Sequence, residues 1–127
     1  MKKKKILIID DEIQLVDLVK MRLEANNYDV ITAYQGTEGL EAARKELPNL
    51  ILLDVLMPNM DGYQALRKLK EEELTKSIPV IMLTAKGDNI SKMKSLQLYS
   101  EDFVTKPVGA QYIKSKIEEV LKRKVPE

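Results

Sequence analysis

An alternation constrains this chain more than any single residue does. Five short, continuous apolar runs are separated by stretches in which apolar residues recur at helical spacing. The runs are Ile6–Ile9, Val30–Ala33, Leu50–Leu53, Val80–Leu83 and Phe103–Val104. A strand covered on both faces reads as an unbroken apolar run, whereas a strand with one wet face alternates. Between the runs, Ile13, Val16 and Leu23 mark one helical face. They are followed by Leu40, Ala43 and Leu47; by Ala65, Leu66 and Leu69; by Ile90, Met93 and Leu96; and by Ile113, Ile117, Val120 and Leu121. Such β-α alternation predicts a parallel sheet with right-handed crossovers and helices on both faces. Punctuation agrees: Gly36 precedes the second helix, Pro48 closes it, Pro79 opens the fourth strand, and Met57 to Gly62 reads as a turn before a helix.

The chemistry gathers at the ends of the runs. Asp10-Asp11, Asp54, Thr84 and Lys106 each fall at the C-terminal end of an expected strand. In an open parallel sheet those ends share one edge, where such folds place their sites. Three carboxylates would crowd there with a hydroxyl and an ammonium. Like charges so close cannot all stay ionised without a compensating cation. Mg²⁺, a hard ion that takes carboxylate and carbonyl oxygens plus water, is the natural one. A Mg²⁺ beside a carboxylate, a Lys and a Thr suits a phosphoryl group.

Composition removes competing chemistries. The chain has 127 residues, the size of one domain, and 44% of them are hydrophobic, enough for one core. There is no Cys and no His. Thiolate catalysis, Ser-His pairs and imidazole-bound zinc are excluded, and any phosphohistidine must belong to another molecule. A net charge of +1 argues against a dedicated nucleic-acid binder. No apolar stretch approaches the ~20 residues that span a bilayer, and the apolar start Ile6–Ile9 is too short for a secretory signal. No membrane insertion and a cytoplasmic location are the expectation. Lys2 to Lys5 reads as a solvated lead-in, and the basic tail from Lys122 as a helix end.

Four segments, ILIIDDE, LILLDVLMPNMDG, VIMLTAKGD and DFVTKPV, occur in this order. With them the chain resembles, over essentially its whole length, the receiver domain of bacterial two-component response regulators, the chemotaxis regulator among them. The resemblance implies a single flavodoxin-like (βα)5 domain over residues 1–127, with strand order 2-1-3-4-5. It implies that Asp54 is the phosphorylation site, fed by a sensor histidine kinase or a histidine phosphotransfer protein. Mg²⁺ is then held by Asp11, Asp54 and the backbone carbonyl of Leu56, with Asp10 acting through water or a further hydrogen bond. Thr84 and Lys106 contact the phosphoryl group, and Lys106 also pairs with Asp54 beforehand. The Lys106-Pro107 bond is expected to be cis. Thr84 and Phe103 form the switch. The implied output face is the fourth helix, fifth strand and fifth helix, which serves an output domain, a target protein or a homodimer, with no direct nucleic-acid binding. The family is a switch with self-catalysed phosphoryl transfer and autodephosphorylation, not a metabolic enzyme.

The residues support this role for Asp54 independently: a strand-end carboxylate is a competent nucleophile toward phosphorus when metal and Lys offset the charge. Glu12 is read as stabilising the first turn of the following helix. Departures from the family pattern are Tyr99-Ser100 where Gly-Ala is usual, Phe103 where Tyr is commoner, and Leu56 and Lys86 at variable positions. A haloacid-dehalogenase-type hydrolase would need an Asp at position 56. A docking-only receiver would not need the full acid, Thr and Lys set. A flavodoxin-like cofactor binder would need a glycine-rich phosphate loop where Asp10-Asp11-Glu12 stands.

Overall fold

The computed structural model describes residues 3–55, 57, 60–85, 100, 102–106 and 109–123. The elements are β1 (Lys4–Ile9), α1 (Ile13–Glu24), β2 (Tyr28–Ala33), α2 (Gly36–Glu46), β3 (Leu50–Asp54), α3 (Gly62–Glu71), β4 (Val80–Ala85), β5 (Asp102–Lys106) and α4 (Ala110–Arg123). The expected helix around Ile90, Met93 and Leu96 lies outside the described residues, so α4 is the fifth of the expected amphipathic stretches.

All four strand pairings are parallel, and the order is β2-β1-β3-β4-β5. This is the doubly wound order that the resemblance implied. The chain winds outward from β1 to β2 and then crosses to the other side at β3. That reversal opens a crevice above the C-terminal ends of β1 and β3.

Residue parity splits the core into two layers. Leu7, Ile9, Ile51, Leu53, Val80 and Met82 pack with α2 and α3 on one face. Ile6, Ile8, Leu50, Leu52, Ile81 and Leu83 pack with α1 and α4 on the other. Every residue of β3 is buried, as its unbroken run requires. β2 differs: only Ala33 is buried, because β2 is an edge strand. Each fully buried Leu or Ile contributes ~1.5–3 kcal/mol against conformational entropy.

Helix ends follow local chemistry. Leu47 takes the left-handed conformation, φ 46°, and ends α2; its N–H donates to the Ala43 carbonyl, and Pro48 cannot continue the helix. Asp61 and Gln64 form a reciprocal capping box at the start of α3. Gly36 is the first residue of α2 rather than a residue before it.

Gly62 is required by close approach. Its N–H donates to the Val55 carbonyl at 2.7 Å. A Cβ there would lie 2.1 Å from the Asp54 carbonyl oxygen and 2.7 Å from Val55 Cα. Both obstacles are backbone, so the whole turn would have to shift. Gly62→Ala is expected to destabilise the protein toward the upper end of the ~1–3 kcal/mol typical of overpacking. Urea unfolding checks this, and an unchanged midpoint would show that the approach is dispensable.

Candidate functional site

Strand register determines which groups meet. Ile9 pairs with Leu53, so Asp10 and Asp54, each one residue further on, stand level at the edge. Asp54 pairs with Leu83 and Leu83 with Val104, which leaves Thr84 one residue and Lys106 two residues beyond that level. The overhang lets the Lys106 side chain lean back across the edge.

Asp10, Asp11 and Asp54 form the cluster that the sequence implied, with one carboxylate oxygen of each within 4.8 Å of the others. Their exposures differ: Asp10 is 0% exposed and Asp54 4%, whereas Asp11 faces solvent. Asp54 is therefore less open than a strand-end residue facing a loop would suggest. The Gly62 backbone packs against the backbone of Asp54 and Val55.

Lys106 reaches two members of this cluster and Glu12 beside it. Its Nζ lies 2.9 Å from Asp10 Oδ2, 3.2 Å from Glu12 Oε1 and 3.3 Å from Asp54 Oδ1. The expected pairing with Asp54 is present, but Asp10 is nearer. Burial alone would push the ammonium toward its neutral form. Asp10, then Asp54 and Glu12, outweigh it and hold the lysine pKa above its ordinary value. Glu12 serves differently from its sequence reading. It is the N-cap residue of α1 but makes no side-chain capping hydrogen bond; its side chain turns to Lys106 and its N–H donates to Asp10 Oδ1 at 2.9 Å.

The cluster also fits a small hard cation. Asp10 Oδ2 is buried and accepts no hydrogen bond among the described residues, its charge being met only by the Lys106 ion pair. An inaccessible carboxylate oxygen without a hydrogen bond, next to two further carboxylates, is a donor set for Mg²⁺. The Leu56 carbonyl, the third ligand implied by resemblance, lies outside the described residues, as do Pro107, Lys86 and Tyr99.

Thr84 is 1% exposed. Its hydroxyl donates over 3.5 Å to the Val104 carbonyl and lies 3.4 Å from Thr105 Oγ1. Both contacts are long and weak, so the hydroxyl is lightly held. Phe103 pairs with Met82 and is half-buried against the same core layer. Asp102, at the start of β5, pairs with Lys116 and Arg123 and ties that strand to α4.

Sequence reasoning missed the Glu12–Lys106 pair and the contact role of Gly62. The first depends on how far β5 overhangs β1 across two intervening strands, which no local pattern encodes. The second had a signal, an Asp-Gly step opening a helix, but it was readable only as turn chemistry.

Comparisons with known proteins agree with this geometry. A family model described as the response regulator receiver domain matches residues 6–118. The alkaline phosphatase synthesis transcriptional regulatory protein PhoP of Bacillus subtilis is 40% identical over 120 residues, covering 94% of this chain and 49% of that protein. The chain thus spans about half the length of the curated relatives it matches. Among solved structures, a CheY-like response regulator receiver domain protein from Methanospirillum hungatei superposes with a TM-score of 0.86 at 32% identity, covering 95% of each chain. The signal receiver domain of a signal transduction histidine kinase from Syntrophus aciditrophicus gives 0.85 at 34% identity, covering 98% of this chain and 95% of that one.

The ion pairs make a stability prediction. Removing Lys106 leaves Asp10 and Asp54 buried without their cation, which costs ~3–5 kcal/mol in fully buried pairs. Solvent at the Glu12 side lowers the expectation for Lys106→Met to about 2–4 kcal/mol. Because the folded lysine pKa is raised, its contribution is present in full below the ordinary 10.5 and is lost only as pH climbs through the folded value. The gap in unfolding free energy between wild type and Lys106→Met is therefore expected to stay flat from neutral pH to about pH 10. Urea titrations across that range measure it; a gap closing near neutral pH would contradict the assignment.

Proposed function

The chain belongs to the response regulator receiver domain family, and on that premise we propose that Asp54 is its phosphoryl acceptor. The observation that carries this reading is one ammonium, Lys106, beside two nearly inaccessible strand-end carboxylates in a cluster fit for a cation. Residues 1–127 act as one receiver domain.

An Asp54 carboxylate oxygen forms a bond to phosphorus as the donor's bond to phosphorus breaks, and the donor leaves with the electron pair. The donor is a phosphohistidine of a sensor kinase or phosphotransfer protein, since this chain has no His, or a small acyl phosphate. Asp10, Asp11, Asp54 and the Leu56 carbonyl would hold Mg²⁺, which would supply charge neutralisation for the incoming phosphoryl group. Lys106 donates to one phosphoryl oxygen and holds its proton throughout. The lightly held Thr84 hydroxyl turns to another. Water later attacks the same phosphorus and Asp54 leaves as carboxylate, which resets the site without a separate enzyme.

The signal leaves through β5. Thr84 and Phe103 lie on the same face of neighbouring strands, so a turn of Thr84 toward the phosphoryl group frees space for the Phe103 ring. The receiving surface is β5, α4 and the segment between β4 and β5, serving an output domain, a target protein or a second copy. NMR shifts on adding beryllofluoride should extend to Phe103 and α4, and Thr84→Ala should uncouple them. Changes confined to the neighbourhood of Asp10, Asp54 and Lys106 would refute this route.

Acetyl phosphate with Mg²⁺ is expected to add one phosphoryl mass to the wild type and none to Asp54→Asn, and EDTA should prevent the gain. Uptake undiminished in Asp54→Asn would sink the assignment. Millimolar Mg²⁺ should also raise the melting temperature, because a ligand of the native state stabilises by mass action. Asp11→Ala should abolish that shift; an equal shift in both proteins would place the metal elsewhere.

A further inference from the structure

Lys106 has more partners than its proposed task requires. Asp10, Glu12 and Asp54 all lie within 3.3 Å of its ammonium. An ammonium has three N–H donors and no acceptor; Lys106 donates one to Glu12 Oε1 and is flanked by ion pairs with Asp10 and Asp54. An incoming phosphoryl oxygen must compete with these three carboxylates for the ammonium. The three differ in what release costs. Asp10 is inaccessible, and removing its cation strands a buried charge. Asp54 is nearly as buried and is itself the acceptor. The Glu12 side chain is 59% exposed, so water takes the place of the ammonium at small cost. The Glu12 side chain is also uncommitted to its helix, making no side-chain capping hydrogen bond. Its backbone N–H is fastened to Asp10 Oδ1, which fixes where the side chain starts.

We propose that Glu12 is a positioning residue for phosphoryl transfer, holding Lys106 as its exchangeable third partner in the unphosphorylated protein and yielding it to the incoming phosphoryl group. This rests on the reading of Asp54 as acceptor. Glu12 takes part in no bond change. With acetyl phosphate, the Asp54 oxygen–phosphorus bond forms, the acetyl oxygen–phosphorus bond breaks, and acetate leaves with the electron pair. Glu12 sets how readily Lys106 is free to receive the phosphoryl oxygens. It therefore competes both with uptake and with retention.

The test follows phosphorylation by acetyl phosphate at saturating Mg²⁺ in the wild type, Glu12→Gln, Glu12→Asp and Asp54→Asn. Glu12→Gln should gain phosphoryl about two- to fivefold faster and lose it correspondingly more slowly, the range an exposed ion pair commands. Added salt should narrow the gap by screening the pair. Glu12→Asp separates positioning from structure. Asp is the better N-cap but is one methylene too short for the same reach to Lys106. It should match Glu12→Gln in rate while its melting temperature holds or rises. In metal-free protein, the Lys106 ε-carbon resonance should shift in both variants. Rates that follow melting temperature, or a Glu12→Gln rate equal to or below wild type, would overturn the inference and leave Asp54 as acceptor. No uptake by the wild type, or uptake retained in Asp54→Asn, would overturn the acceptor reading and this inference with it.

Discussion

One charge balance governs the whole molecule: the Lys106 ammonium set against carboxylates at the ends of β1 and β3. Asp10 and Asp54 lie where water barely reaches them. In such surroundings an unpaired carboxylate is costly, and a pair that loses one member costs more than the pair contributed. The fold tolerates this because the cation comes from β5, two places from β3 and three from β1 in the sheet, whose end overhangs the edge. The ion pairs thus couple the sheet's register to the site. A slip of one residue in β5 would turn Phe103 and Thr105 to the other face and move Lys106 away from its carboxylates.

The same requirement explains the turn after β3. For the end of β3 to stay closely covered, α3 must begin against the backbone of Asp54 and Val55. Only a residue without Cβ fits there. The Asp61–Gln64 capping box then fixes the entry of α3 without help from the site. Packing of backbone on backbone, rather than a side-chain bond, keeps Asp54 in place.

How much of this was legible in the sequence depends on how local the cause is. The strands could be found because each is a continuous apolar run, and their ends gave the candidate residues directly. β2 was overread as a buried strand, because its run Val30–Ala33 carries no mark of an edge position. Asp10, Asp11 and Asp54 could be grouped from topology alone. The exposures of Asp10 and Asp54 could not, because they depend on tertiary packing around the strand ends. Glu12 shows the sharpest contrast. Its place before a helix suggested helix-end electrostatics, yet its carboxylate is drawn to a lysine far along the chain. A stronger partner in three dimensions overrode a weaker one nearby in sequence, since a helix-end charge contributes only ~0.3–1 kcal/mol when exposed.

A site of this kind meets two opposed demands. Its buried charges must be satisfied at rest, or the domain would not fold; yet under the proposed function the same ammonium must be available to a phosphoryl group. A network closed by buried partners alone would meet the first demand and fail the second. One of the three carboxylates on Lys106 is wet, and on β4 the Thr84 hydroxyl is held only by long contacts. Those two weak points lie on the groups that would have to move. The strong points, Asp10 against Lys106 and the backbone of α3 against β3, lie on groups that stay. Stability and responsiveness are therefore divided between different atoms of one small cluster, so the site can rearrange without unfolding the sheet beneath it.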